Sequence, residues 1–460
     1  MFRPRSRASR TTGDMRGSRA PRSGYAVAAF ALIATASLGA CAAGPATSGA
    51  GAASTIATSA APTSAATPST AKTAATKPSV HGYSFAPGMI KVAGQQVFTP
   101  INGILAMPST PGPHPVAVIV HGSYPSCIDA STDKVFTKPI NTVSWPEGCV
   151  PQGKDYSHGL TIGPDYVRAT ASFGYLAQEL ASRGIATIAV DVNTKERGAW
   201  SFDSPHYELQ TEIVKTHLDL LKRLNEGDSL GLPWGDAAKG TFDLSSIAVI
   251  GHSTGGWYAA ESAFRAPFPG IKAAVALQPG SGVIDKPTKT LAPTLIVTGQ
   301  CDEQVKEDGL KVAKEVSKKY PSGVVITASM AGTTHIGLLS GGGSHRVGPV
   351  TPVETAGCKD TALLGAEQRL GTVSLLTADF LTAALKGGAT AYELGTAKGA
   401  TVTFTSWTPA ATVKGVEKTA PQALPASSIT FDTSSVVVVP AKPKSMDIGA
   451  HMEDYERSAA

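Results

Sequence analysis

The 460-residue sequence predicts an α/β fold, a doubly wound and mostly parallel sheet with helices on both faces. Three observations predict it. Six short runs are nearly continuous in β-branched and small apolar residues rather than alternating, as strands covered on both faces are. Between these runs lie segments whose apolar residues recur at helical spacing. Strand and helix therefore alternate along the chain, the pattern of a parallel sheet with helical crossovers.

The elements follow in chain order. Residues 1–40 hold seven arginines and one aspartate, and the apolar run "YAVAAFALIATASLGAC" (Tyr25 to Cys41) follows the charged part. This reads as an export signal. Its end, Leu38-Gly39-Ala40-Cys41, resembles a bacterial lipobox. That resemblance implies cleavage before Cys41, a lipid on its thiol, and attachment to the outer face of the cell membrane. An ordinary secretory signal cut at a small-residue site is the alternative. An apolar stretch of about 14 residues falls short of the roughly 20 that a membrane span needs. No Arg-Arg pair precedes the run, and Met15 offers an alternative start.

From Ala42 to Val80, 35 of 39 residues are Ala, Ser, Thr, Gly or Pro, so residues 41–80 read as a flexible tether. The folded domain is expected over 81–388. "GMIKVAG" and "INGILAMP" are expected as antiparallel edge strands, and "PVAVIVHG" (Pro115 to Gly122) as the first buried strand. After an insertion at 123–170, Phe173, Leu176 and Leu180 mark a helix that stops at Gly184. "IATIAVDV" (Ile185 to Val192) is the next strand; Val214, Leu218 and Leu221 mark a helix followed by Asn225 and Gly227. The strands "SIAVIGHS", "IKAAVALQ", "PTLIVTG" and "GVVITASM" complete the sheet. Helices are expected at "GWYAAESAF", around Leu310 and Ala313, and through Val373, Leu376, Phe380 and Ala384 to Gly387. Residues 389–460 read as a β-rich appendage, with "ATVTFTSW" and "SSITFDTSSVVVVP" as strands and "MEDYERSAA" as a loose tail. No chemistry attaches to this part.

The formal charge of +5 belongs to the leader: with the +6 of residues 1–40 set aside, the remainder carries −1. This gives no electrostatic reason to expect a nucleic-acid partner. Beyond Cys41 the cysteines are Cys127, Cys149, Cys301 and Cys358. In an exported chain an even number suggests two disulfides, with three connectivities open. None forms C-x-x-C and the histidines lack metal-ligand spacing, so a zinc site is not expected.

The only G-x-S-x-G is Gly251-His252-Ser253-Thr254-Gly255. With 48 glycines in the chain, the pentapeptide alone settles little. Its position adds weight, because Ser253 ends a buried strand and opens a helix, where open α/β sheets collect their reactive groups. A serine nucleophile needs an imidazole to take its proton and a carboxylate to orient that imidazole. Asp302, in "GQCDEQV", ends the later strand "PTLIVTG"; a helix N-cap is the competing role, and Glu303 the competing carboxylate. His335, in "AGTTHIGLL", follows the next strand, with His345 as the competitor. His121 and His252 are expected to orient or pack. The oxyanion donors would be the backbone N–H groups of Ser123, after "VIVHG", and of Thr254.

These residues resemble the α/β-hydrolases, and within them the exported dienelactone-hydrolase and polyester-hydrolase (cutinase-like) branch. The resemblance rests on "HGSYPSC", "YLAQELASRGIATIAVD", "GHSTGGW", "PTLIVTGQCDEQV" and "GTTHIG", and covers roughly His81 to Gly388. It implies Ser253 as nucleophile, Asp302 as acid and His335 as base, with no cofactor. Thr254 departs from the methionine frequent in polyester hydrolases. The resemblance also leads us to expect that Cys127 pairs with Cys149, stapling the insertion after the oxyanion strand, and Cys301 with Cys358. The insertion, with Tyr124, Trp145, Tyr156 and Tyr166, is either a lid or acyl-pocket wall or a structural cover; Trp200 and Trp257 are either core or substrate contacts.

The expectation is an extracytoplasmic serine hydrolase that cleaves small-molecule or lipid esters and reaches the membrane through its N-terminal anchor. A peptidase or acyltransferase could use the same three residues. A non-catalytic binding lipoprotein could keep the fold. A solute-binding lipoprotein would need two similar lobes, and one sheet is predicted.

Overall fold

The structure, a computed structural model, describes residues 77–92, 95–122, 169–192, 205–280, 282, 288–340, 358 and 361–437. It also describes short strand pairs within 128–161. The expected signal, Cys41 and nearly all of the tether lie outside the described residues, as do Cys127, Ser123, Trp200, His345 and most of the insertion.

Among the described residues ten strands form one sheet. In chain order, β1 is Ser79–Val92, β2 Gln95–Met107, β3 His114–Val120 and β4 Ala186–Val190. Then come β5 Phe242–His252, β6 Ile271–Leu277, β7 Thr294–Gly299 and β8 Val325–Met330. After β9 (Ala391–Ala397), β10 (Val402–Ser406) and β11 (Thr412–Lys418), the last strand is β12, Phe431–Val437. The sheet order is β10-β8-β7-β6-β5-β3-β4-β2-β1-β12. From β4 through β3, β5, β6 and β7 to β8 every neighbour is parallel.

Alternate residues of these strands face opposite cores, which is why the runs are apolar throughout. Ala117, Ile119, Ala248, Ile250 and Val275 pack with Phe173, just before α1 (Gly174–Ser182), with Leu176 and Leu180 of α1, and with Val373, Leu376 and Phe380 of α5 (Ala366–Ala384). Val116, Val118 and Val249 pack on the other face with Ile213, Val214 and Leu221 of α2 (Pro205–Glu226) and Tyr258 of α3 (Thr254–Arg265). Val312, Ala313 and Val316 of α4 (Asp308–Lys319) extend that face over Ile296 and Val325. Gly184 ends the first crossover helix at φ +78 and Gly227 follows the second at φ +96, conformations that cost glycine little.

The edges differ from the expectation. β1 and β2 do pair antiparallel, and β2 pairs antiparallel with β4, but β1 is not an edge: β12 runs parallel beside it. An open β1 would leave a row of backbone donors and acceptors without a sheet partner. The segment after Gly388 fills that row, with the Gly82 N–H donating to Thr430 O (2.9 Å), Trp234 Nε1 to Asp432 Oδ2 (2.9 Å) and Ser434 Oγ to Leu230 O (2.6 Å). At the opposite end β10 pairs antiparallel with β8. β9 and β11 form a separate parallel pair, tied to α5 by Asp379, which accepts from Gly395 N–H and Lys418 Nζ, both at 2.7 Å. Among the described residues no helix is long and apolar enough to cross a membrane.

Candidate active site

Ser253 stands between the end of β5 and the start of α3, with φ 57 and ψ −121. Such a backbone is costly for a residue with a side chain. It persists because the turn is over-determined: the Ser253 N–H donates to Leu277 O (3.0 Å), and Ser253 O accepts from Trp257 N–H (3.1 Å) and Gly280 N–H (3.2 Å). The flanking glycines are steric requirements. A Cβ on Gly251 would overlap the Gly255 carbonyl, and one on Gly255 would overlap Val120 O on β3. Thr254 opens α3 directly after Ser253.

Asp302 follows β7 and its carboxylate is buried. Its two oxygens serve two purposes. Oδ1 accepts the backbone N–H groups of Gln304 and Val305, both at 3.0 Å, while Oδ2 accepts from His335 Nδ1 at 2.8 Å. The turn-capping role and the role of orienting an imidazole thus coexist in one side chain. Glu303 is half-buried, and the carboxylate that meets the histidine is that of Asp302. His335 opens a short 3-10 turn, His335–Leu338, and its side chain is 1% exposed. With Nδ1–H donating to Asp302, the acceptor nitrogen is Nε2. Among the described residues Ser253 Oγ makes no hydrogen bond to this ring; such contacts commonly tighten only when substrate binds.

The other two histidines are engaged elsewhere. His121 Nδ1–H donates to Gly122 O (2.7 Å) and Nε2 accepts from Val192 N–H (3.0 Å), which fixes its tautomer. The His252 ring, fully buried, donates from Nε2 to His335 O (2.9 Å) and to Gln278 Oε1 (3.2 Å). Burial holds its pKa down to about 3, with the neighbouring His335 ring acting in the same direction.

Three supporting residues escaped the sequence reading. Gln278, just past β6 at φ 44, donates its amide to Thr334 O (2.9 Å). Tyr175 of α1 donates its hydroxyl to Leu338 O (2.7 Å). Arg369 of α5 donates to Gly337 O and to Leu364 O (2.7 Å). Of the three, Arg369 is the one charged residue, and it is the only cation on α5. Cys301, next to Asp302, is disulfide-bonded to Cys358, with Cα atoms 5.0 Å apart. For Cys149 only the backbone is described, so the Cys127–Cys149 pair lies outside the described residues. Trp257 is half-buried and fills the space where Gly282 would carry a side chain. Among the described residues no three His, Cys, Asp or Glu side chains gather to hold a metal ion.

Strand order, with helices on both faces of a mostly parallel sheet and a strained strand-to-helix turn at Ser253, gives the α/β-hydrolase fold. The sequence model of a family described as PET hydrolase-like matches residues 141–308, a stretch that holds Ser253 and Asp302 and ends before His335. Among curated relatives, cutinase est2 of Thermobifida alba is 28% identical over 153 residues, 33% of this chain and 44% of the relative. Cutinase 2 of Thermobifida cellulosilytica and cutinase cut1 of Thermobifida fusca match at the same 28%, over 50% and 41% of their lengths. The matched stretch thus spans about half or less of each relative. These similarities support a cutinase-like, polyester-hydrolase-like branch of the α/β-hydrolases.

Proposed function

We propose that the chain is an exported serine hydrolase that cleaves carboxylic esters through an acyl-enzyme, with Ser253 as nucleophile, His335 as base and Asp302 as its orienting acid. The observation that carries this reading is the buried 2.8 Å hydrogen bond from His335 Nδ1 to Asp302, three strands and two strands beyond a serine held at φ 57 on a strand-to-helix turn. His335 Nε2 takes the Ser253 proton as Oγ bonds to the ester carbonyl carbon. The oxyanion is received by the N–H groups of Thr254 and Ser123. Collapse breaks the bond to the leaving oxygen, which takes the proton from His335; water, deprotonated by the same nitrogen, then adds to the acyl carbon, and the bond to Ser253 Oγ breaks as that oxygen takes the proton back and the acid leaves. The matched relatives, cutinases and a PET hydrolase-like family, favour ester over amide substrates. The lipid anchor at Cys41 and the place outside the cell membrane belong to the same proposal and rest on the leader sequence.

Ser253→Ala tests it. Hydrolysis of p-nitrophenyl esters and labelling by a fluorophosphonate are expected to vanish; labelling that survives the substitution would overturn the assignment.

A further inference from the structure

β5 and β8 are separated in the sheet by β6 and β7. At strand spacing this puts their ends about 14 Å apart. The loop that carries His335 must therefore run back over two strand ends before an imidazole can reach Ser253. Its carbonyls are caught in order along that path. Thr333 O accepts the backbone N–H of Cys301, beyond β7 (3.0 Å). Thr334 O accepts the Gln278 amide, beyond β6 (2.9 Å). His335 O accepts His252 Nε2–H, at the end of β5 (2.9 Å). Three successive carbonyls are held by three successive strands.

We propose that His252 and Gln278 are positioning residues for the reaction assigned to Ser253: they fix the main chain at Thr334 and His335 so that the base faces the nucleophile. The proposal rests on that assignment of Ser253, Asp302 and His335. Asp302 grips the His335 ring at one nitrogen, and that bond by itself does not fix the main chain at His335. The second anchor comes from the residue directly before Ser253, so the nucleophile and the base share a rigid connection that does not pass through Asp302. Gln278 completes it by accepting from the same His252 N–H at 3.2 Å while donating to Thr334. Gly299 on β7 is shaped to this purpose, because a Cβ there would overlap the Gln278 amide nitrogen. Neutrality of His252 also matters. The two rings lie 4.7 Å apart between centroids, and a cationic neighbour would oppose the charge His335 takes up when it accepts the serine proton.

The test is His252→Phe and Gln278→Met in the full chain, assayed by p-nitrophenyl ester kinetics, fluorophosphonate labelling, pH profile and melting. His252→Phe keeps a ring without the donor, and Gln278→Met keeps length without the amide. Each is expected to lower kcat about 10- to 100-fold with KM changed less than about twofold. The acid limb of kcat/KM should move to lower pH, because a mis-set ring loses part of its stabilisation by Asp302. Gln278→Met carries the same test where His252→Phe does not fold. Parental kcat in a folded variant, or a loss that follows the folded fraction with the acid limb unmoved, overturns the proposal. If Ser253→Ala still abolishes labelling in that case, the serine hydrolase reading stands and only the positioning role falls.

Discussion

Replacing Asp302 with asparagine keeps one of its hydrogen-bonding duties and reverses the other. Oδ1 receives two backbone N–H groups, from Gln304 and Val305, each at 3.0 Å. An amide NH2 in that place would lose both bonds, each worth about 1 kcal/mol, so the asparagine must set its carbonyl oxygen there. Its NH2 then takes the place of Oδ2, facing His335 Nδ1, which now lies 2.8 Å from its partner. Two donors cannot face each other, so His335 gives up its Nδ1 proton and carries it on Nε2. That nitrogen has no lone pair left for the Ser253 proton. The expected loss in kcat is about ten-thousandfold, or roughly 5 kcal/mol of barrier. Stability should change by less than about 1 kcal/mol, because the turn at Gln304 and Val305 keeps its acceptor. Asp302→Ala removes both duties and should lose the same activity together with more stability. The assay is ester hydrolysis beside fluorophosphonate labelling and a melting curve for each variant. An Asp302→Asn protein that melts normally and keeps kcat within about tenfold of the parent would refute the tautomer argument.

Two further outcomes follow from strain and from buried histidines. Ser253→Gly should be inactive yet more stable than the equally inactive Ser253→Ala by about 1 kcal/mol, since only glycine relieves the backbone at φ 57; equal melting temperatures would argue against stored strain. His217 and His252 are both fully buried, and burial holds each pKa down from 6.5 to about 3. Above the unfolded value of 6.5 neither state binds these protons and the contribution is complete; as the pH falls toward 3 the unfolded chain takes up protons that the core refuses. At about 1.4 kcal/mol per pH unit and per histidine, the pair should cost roughly 4 kcal/mol at about pH 5, read by urea unfolding. His217→Gln should roughly halve the slope with pH, and an unchanged slope would remove His217 from the account.

How much of this was legible depends on how local each feature is. Ser253 could be read because the strained turn needs glycines within two residues, and Gly251 and Gly255 supply them. The six parallel strands could be read because burial on both faces removes the polar alternation. β10 and β12 were legible as strands, since "ATVTFTSW" and "SSITFDTSSVVVVP" are rich in β-branched residues. Their places at opposite edges of the sheet were not, because the pairing of Gly82 with Phe431 is a matter of register across most of the chain. A Cβ at Gly82 would overlap Phe431, yet nothing near Gly82 in sequence says so.

The same reasoning explains why Asp302 and His335 could be named as candidates from sequence and Gln278 could not. An acid or an imidazole at a strand end carries a chemical signature, whereas a glutamine at a strand end has dozens of ordinary uses. What gives Gln278 its role is adjacency in the sheet: β6 lies between β5 and β7, so any loop returning from β8 toward Ser253 must pass over its end. A residue there with both a donor and an acceptor can hold the passing carbonyl and a buried ring at once, as Gln278 does with Thr334 and His252. Sheet order, rather than any motif, thus points to the support of the base. In any sheet of this strand order a loop returning from β8 to the end of β5 crosses about three strand spacings, and β6 is the strand end from which it can be held midway.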